Sequence, residues 1–92
     1  MVKKSDVLQF IADNSCKGRQ ASSDDIAVAF GLSPEAACRH LSRLWRDRLV
    51  IASTSGEKRS NFRLEPGESM MHFRFYLTRR GRDRLRWYQR HY

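Results

Sequence analysis

A tight turn between two amphipathic helices is the feature that most restricts the fold of this 92-residue chain. The stretch DDIAVAFGLSPEAACRHLSRLW occupies residues 24–45. Gly31 can adopt the positive φ that ends the first helix, and Ser33 followed by Pro34 supplies a capping hydroxyl and a first-turn proline for the second. One helix therefore ends and the next begins within about three residues, so the two helices are held together across a tight turn.

The second of these helices, predicted over residues 34–48, has one apolar stripe and one basic face. Counted at 100° per residue, the apolar stripe consists of Ala37, Leu41, Leu44 and Arg48, flanked by Cys38 and Trp45. The opposite face holds Glu35, Arg39, Ser42, Arg43 and Arg46. We expect the stripe to be buried, whereas the arginines form either a solvated surface or a binding surface for an anion.

The positive charge of the chain is concentrated in its second part. Eighteen Lys and Arg side chains against ten acidic ones give a formal net charge of +8 at pH 7. Residues 1–38 carry four basic and five acidic side chains, whereas residues 39–92 carry fourteen basic and five acidic ones. This imbalance predicts that the partner is a polyanion or an acidic surface.

Length and hydropathy indicate a small cytoplasmic domain. A chain of 92 residues forms a single domain with a modest core, small enough for a second chain to complete it. No apolar run approaches the roughly 20 residues that span a bilayer, and MVKKSDVLQF lacks the apolar region and cleavage site of a signal peptide. We therefore expect a cytoplasmic location and no membrane partner.

Cysteine and histidine spacing does not match a metal site or a disulfide framework. Cys16 and Cys38 are interpreted as reduced thiols, with a redox or metal switch that includes His40 as the alternative. The sequence also lacks a phosphate-binding loop, a zinc-protease motif and a nucleophile with an arranged base. We expect no enzymatic activity, no cofactor and no identifiable small-molecule effector.

The remaining segments predict two more helices and a long hairpin. Ser5 and Asp6 open a first helix that NSCKG closes, GRQAS is able to run extended, and SSDD starts the next helix with Ser22 or Ser23 as its cap. LVIAST is typical of a strand, and SGEKRSN of a turn with adjacent cations. In MMHFRFYLT, alternation predicts a strand with Met71, Phe73, Phe75 and Leu77 facing inward. Residues 60–69 between them are open to either strand or loop.

The last helix has two stripes, which predicts two neighbours. Thr78 is its expected cap, and the first stripe consists of Gly81, Leu85, Tyr88 and Tyr92. The second stripe consists of Arg80, Arg84, Trp87 and His91. An exposed tryptophan among arginines is enriched at interfaces. We therefore expect a homodimer through this helix, with Arg84, Trp87, Tyr88 and His91 at the interface, although the arginines of the two copies would repel each other.

Two stretches carry a resemblance to a known family. SSDDIAVAFGLSPEAACRHLSRLWRDRLV resembles the helix-turn-helix and following strand entry of winged helix-turn-helix proteins, and FYLTRRGRDRL is similar to the strand-to-helix junction of MarR, ArsR and PadR-type regulators. The expected fold class is therefore α+β, a single winged helix-turn-helix domain with a three-helix core, a long β-hairpin wing and a C-terminal helix. Its parts are the helix-turn-helix at about 22–48, the wing at about 49–78 and the last helix at about 79–91. The chain departs from the family pattern in its long wing and in Arg48, where the family often has glycine.

The resemblance implies a transcriptional regulator that binds double-stranded DNA in a sequence-specific way as a homodimer. By position, the groove-facing residues would be Ala36, Arg39, His40 and Arg43, and the wing-tip cations would be Lys58 and Arg59. The small Ala36 and Ala37 would admit the DNA, and Arg39 would pair with guanine O6 and N7. Arg46, further along, suits a phosphate. The alternative is an interaction module that binds an acidic protein or RNA with the same surface.

Overall fold

The computed structural model describes residues 2–91, which form four α-helices and one three-stranded antiparallel sheet. The helices are α1 (Lys4–Cys16), α2 (Ser23–Phe30), α3 (Pro34–Arg46) and α4 (Arg79–His91). The strands are β1 (Val50–Thr54), β2 (Glu57–Arg59) and β3 (Arg74–Leu77), and a 3₁₀ turn spans Met70–His72. The predicted α+β class is confirmed. Within residues 2–91, every helix falls short of the length and apolarity that crossing a bilayer requires.

The turn between α2 and α3 has the capping chemistry expected from the sequence. Ser22 caps α2 and shares a reciprocal pair of hydrogen bonds with Asp25. Gly31 ends α2 in the left-handed conformation, with a φ of 65°. Ser33 Oγ then accepts a hydrogen bond from the Ala36 N–H at 3.2 Å, and Pro34 is the first residue of α3. Local sequence alone therefore sets both ends of α2 and the start of α3.

The helices and the sheet share one apolar core around the indole of Trp45. Its ring makes edge-on contacts with the rings of Phe62, Phe73 and Phe75, and its Nε1–H donates to the Arg59 carbonyl oxygen at 3.0 Å. The other large, fully buried side chains include Leu8, Ile11, Ile26, Leu41, Leu44 and Leu49. Trp45 thus fastens α3 to the sheet and to the segment after β2.

The end of α3 differs from the prediction. The helix stops at Arg46 rather than at residue 48, and Arg48 is exposed with a φ of 61° instead of lying on the buried stripe. The left-handed residue turns the chain so that the Leu49 N–H donates to the Leu44 carbonyl oxygen at 2.9 Å. Leu49 thereby enters the core, where we expected Arg48.

The sheet has one strand more than the predicted two-stranded hairpin. β1 lies in the middle, paired with β2 through a turn at Ser55 and Gly56 and with β3 on its other edge. Residues 60–69 form a loop, which settles the alternative left open by the sequence. The segment before α2 also joins the sheet, because the Phe75 N–H donates to the Ala21 carbonyl oxygen at 2.8 Å.

The expected alternation in MMHFRFYLT holds only for its second part. Phe73 and Phe75 are buried as predicted. Met70 is 7% exposed and Met71 is 39% exposed, which is the reverse of the prediction. The cause is the 3₁₀ turn at Met70–His72, since three residues per turn replace the two-residue repeat of a strand.

The junction between β3 and α4 is tied to the end of α3. Thr78 Oγ1 donates to the Arg48 carbonyl oxygen at 2.7 Å and accepts from the Gly81 N–H at 2.9 Å, as expected for the cap of α4. The Thr78 N–H donates to the Leu49 carbonyl oxygen at 3.0 Å. Gly81 and Leu85 are buried, and Tyr88 is half-buried against the core. Tyr92, assigned to the same stripe, lies outside the described residues.

Candidate nucleic-acid interface

The outer face of α3 presents two exposed arginines one helical turn apart. Arg39 and Arg43 are both exposed. Neither guanidinium forms a hydrogen bond or an ion pair with any residue between positions 2 and 91. The opposite side of the helix is buried against the core, which holds this face in a fixed orientation. Two free cations on a rigid helix face are suited to binding an anion.

The residues beside the arginines divide between surface and core. Ala36 and His40 are both half-buried and flank the exposed stripe. Ala37 has no exposed surface, so the prediction that its small side chain admits DNA is wrong. It lies on the inward stripe of α3, and its small size serves the packing of α3 within the core. Of the two alanines, Ala36 alone remains a candidate for close approach.

Arg46 lies at the C-terminal end of the same face and is held by an aromatic ring. Its guanidinium carbon is 4.4 Å from the centre of the Phe62 ring, a cation–π geometry. Phe62 in turn contacts the buried Trp45 with its ring centroid 4.9 Å away. The loop after β2 therefore positions Arg46, a contact that no pattern in the sequence predicted.

Arg59 is not the exposed wing-tip cation that we expected. Its side chain is only 7% exposed. Its guanidinium donates to Glu68 at 2.6 and 3.0 Å, to Glu57 at 3.3 Å and to the Arg63 carbonyl oxygen at 3.1 Å. These bonds tie β2 to the loop that follows it. Arg59 is consequently a structural residue that joins β2 to this loop, and it is unavailable to an external anion.

The ion pairs around Arg59 also perturb the titration of their members. Hydrogen bonds from Arg59 lower the pKa of the Glu68 carboxyl and the pKa of the Glu57 carboxyl below their ordinary value of 4.5. The same contacts raise the pKa of Arg59. Arg63 pairs with Glu57 and, at 3.1 Å, with Glu65. Residues 57–68 hold three basic and three acidic side chains, so the segment has no net charge.

Lys58 is exposed but points away from the core side of the sheet. Since side chains alternate along a strand, Lys58 faces the side opposite to Arg59. Its Nζ lies 5.5 Å from the centre of the Tyr76 ring. The structure therefore brings together Arg39, Arg43 and Arg46 on α3 and separates Lys58 from them by the thickness of the sheet.

The outer face of α4 carries the residues assigned to a dimer interface. Arg84, Trp87 and His91 are exposed, whereas Tyr88 is half-buried against the core of its own chain. Trp87 is 50% exposed. Its ring centroid lies 4.3 Å from that of His91 and 5.4 Å from that of Tyr88. Three of the four predicted residues thus form one accessible aromatic and basic surface.

One signal in the sequence could have revealed the role of Arg59. Glu57 and Glu68 lie in the predicted wing, where a surface that binds phosphate gains nothing from carboxylates. Their presence beside Arg59 and Arg63 indicated internal pairing. Phe62 gave no comparable signal, because a lone aromatic residue in a loop does not specify its contact.

The described residues offer little to a metal ion. Between positions 2 and 91, no three His, Cys, Asp or Glu side chains come together in a group that could hold one. Cys16 is an exposed free thiol at the end of α1, and Cys38 is a half-buried free thiol on α3. The spacing of the two cysteines had already suggested separate thiols.

Comparisons with protein families, with curated proteins and with solved structures give no match for this chain. Its function is therefore inferred from its own side chains, their exposure and their charge.

Proposed function

We propose that this chain is a winged helix-turn-helix domain that binds double-stranded DNA through α3 and acts in transcriptional regulation. The observation that carries the proposal is the exposed, unpaired state of Arg39 and Arg43 on a helix whose opposite side is anchored in the core. If Arg39 and Arg43 only stabilised the fold, we would expect their guanidinium groups to pair with carboxylates of the same chain. The neutralised segment at 57–68 shows that the chain builds such networks elsewhere.

The order of the elements supports this assignment. Along the chain, the first helix is followed by an extended residue paired with β3 and then by two helices joined by a tight turn. Antiparallel strands and a final helix come after them. The same order led us to the winged helix expectation from sequence. β2 and the loop after it are an addition beside β1, which accounts for the length of the segment between β1 and β3.

The dimensions of α3 are compatible with groove binding. A helix of 13 residues is about 20 Å long at 1.5 Å per residue, and the major groove is about 12 Å wide. Arg39, nearest the N-terminus, is proposed to pair with a guanine edge, as that part of the second helix does in helix-turn-helix proteins. Arg46, at the other end and held by Phe62, is proposed to contact phosphate.

The roles proposed for the wing are revised by the burial of Arg59. Lys58 is the one cation of the pair that stays a candidate for the DNA backbone. Arg59 is a positioning residue, since its bonds to Glu68 hold the loop whose Phe62 supports Arg46. The proposed interface is consequently centred on α3, with the sheet as its support.

The two-fold dimer through α4 stays a prediction. Regulators of this kind bind palindromic sites whose half-sites lie about 34 Å apart, which two chains would satisfy. However, Asp83 is the one carboxylate on α4, against six arginines. Like charges therefore oppose the pairing of two such helices unless an anion lies between them.

Fluorescence anisotropy with a labelled random duplex tests the proposal. The double variant Arg39→Ala/Arg43→Ala should bind at least about tenfold more weakly, because a bidentate arginine contact to a base edge is worth about 1–3 kcal/mol and each lost phosphate contact also weakens binding. The matched control, Lys17→Ala/Arg19→Ala, also removes two exposed cations, but from the segment after α1. Equal affinity losses in both double variants would contradict the assignment to α3.

A further inference from the structure

The exposed face of α4 contains a tryptophan surrounded by arginines that the proposed contact of α3 with duplex DNA does not use. Half of the Trp87 side chain is exposed. By contrast, Trp45 is fully buried. An indole presents a flat aromatic face, and where that face is exposed it is available for stacking.

Two shallow depressions lie on either side of this indole. One is lined by Arg79, Arg80, Asp83, Arg84 and Trp87. The other is lined by Asp83, Arg86, Trp87, Arg90 and His91. Trp87 therefore lies between two basic depressions, which we call the two hollows. Arg80 and Arg84 lie four residues apart on one side, and Arg86 and Arg90 lie four residues apart on the other. The Cβ atoms of residues at this spacing on a helix are about 5–6 Å apart, so the two arginines of each pair are neighbours.

Most of these arginines are without a hydrogen bond or ion pair to the residues that the structure describes. Arg86 lies 3.9 Å from Asp83, an exposed pair of the kind that contributes little. Arg80, Arg84 and Arg90 have no hydrogen bond or ion pair to the described residues 2–91. The surface therefore combines several free cations with an aromatic face, and the charge complements a polyanion.

We propose that the outer face of α4 is a binding site for single-stranded nucleic acid, with a base stacked on Trp87 and phosphates on the arginines of the two hollows. Sites for single strands combine a positively charged track with aromatic side chains on which bases stack. In a duplex the base faces are covered by their neighbours, so an exposed indole has nothing to stack on. This site is separate from the α3 face and does not depend on the proposed function.

The charge of the face distinguishes single strands from a second copy of the chain. A two-fold contact through this face would bring the five arginines of the two hollows from each copy together with Asp83 as the one carboxylate from each. A nucleic acid strand instead neutralises the arginines and covers the indole at the same time. An acidic peptide would supply the charge, but its carboxylates offer no stacking surface to the indole.

Tryptophan fluorescence and anisotropy with labelled oligothymidylate and oligouridylate test this site. Each strand should be longer than the roughly 16 nucleotides that such sites cover at most. Binding should quench the exposed Trp87, and Trp87→Ala should lose at least about fivefold in affinity for the strands. Trp87→Phe, which keeps a ring for stacking, should recover most of that loss. A stronger response to one of the two strands identifies DNA or RNA as the source of the ligand.

Cross-comparison with the α3 variants separates this site from the duplex site. Arg39→Ala/Arg43→Ala should lose duplex affinity and keep its affinity for single strands, whereas Trp87→Ala should lose a larger factor in affinity for single strands than for a short duplex that holds one chain. The proposal would be overturned if Trp87→Ala and the wild type bound the single strands with equal affinity. It would also be overturned if polyglutamate competed for the site as well as the strands do. A third contrary result would be that neither strand binds, while light scattering shows a wild-type dimer that Trp87→Ala dissociates. Circular dichroism of each variant excludes unfolding as the cause.

Discussion

Gly81 packs so closely against the main-chain carbonyl of Leu49 that a Cβ at position 81 would overlap the Leu49 oxygen. The same carbonyl accepts a hydrogen bond from the Thr78 N–H at 3.0 Å. The backbone at the start of α4 therefore packs directly against the backbone of the segment after α3 and is hydrogen-bonded to it. This contact connects α4 to the helix that we propose enters DNA.

Gly81→Ala should destabilise the domain. The added methyl group meets backbone atoms, which cannot move aside as a flexible side chain does, so we expect a loss of about 1–3 kcal/mol in the free energy of unfolding. Urea unfolding measures it. Arg82→Ala, at the next and exposed position of α4, is the control and should change stability by less than about 0.5 kcal/mol. A Gly81→Ala protein as stable as the control would contradict the close packing.

Two adjacent serines should respond in opposite directions. Ser22 caps α2, so Ser22→Ala should cost about 1 kcal/mol. Ser23 Oγ is fully buried and, within residues 2–91, it has no hydrogen-bond partner. Ser23→Ala removes this unsatisfied hydroxyl and should raise the free energy of unfolding by up to about 1 kcal/mol. Thermal unfolding of the two variants side by side is the measurement, and changes of the same sign would count against this account of α2.

The ion pairs of Arg59 predict loss of stability in acid. Arg59 lowers the pKa of Glu68 below its ordinary 4.5, so the folded protein binds this proton less readily than the unfolded chain. The stabilisation is therefore complete above pH 4.5 and is lost as the pH falls through the lower pKa of the folded state. Glu68→Gln should be less stable at neutral pH and should show a flatter decline in acid.

Urea unfolding of both proteins from neutral pH to about pH 3 covers the window in which carboxyl groups titrate. Glu35→Gln is the control, because Glu35 is an exposed carboxylate of α3 outside this cluster. The acid decline of Glu35→Gln should stay closer to that of the wild type than the decline of Glu68→Gln does. If the two variants changed the decline equally, the cluster around Arg59 would not be the source of the acid sensitivity.

The two ends of the α3 face should affect binding differently. Arg39→Ala should relax base preference at one position by about 1–3 kcal/mol, whereas Arg46→Ala should weaken binding to all sequences alike. The reason is their place on α3, near the N-terminal end and at the last residue. Binding-site selection from a random duplex library shows the difference, and an identical loss of preference in both variants would refute the two roles.

Local rules predicted much of this fold from the sequence. Ser22, Gly31, Ser33 and Thr78 act at helix ends through bonds to residues a few positions away, so their neighbours in the sequence specify them. The exposed arginines of α3 and α4 followed from helical periodicity. The half-exposed Trp87 followed from the same count.

The sequence did not predict the interactions that join distant segments. Arg59 resembles a wing-tip cation until Glu68 is brought to it by the loop, nine residues further along. Arg48 satisfies the helical period, but the left-handed turn places Leu49 in the core instead. The contact of Phe62 with Trp45 and Arg46 likewise depends on the path of residues 60–69, which no periodic pattern describes.

The salt dependence of duplex binding tests the central claim most directly. Cations that contact phosphates release counterions, so the association constant falls as salt is raised. If two bound chains neutralise on the order of eight phosphates, the logarithm of the constant should fall with the logarithm of salt at a slope near −7. The Arg39→Ala/Arg43→Ala protein should show a shallower slope. A wild-type affinity that does not change with salt would contradict duplex DNA binding by this chain.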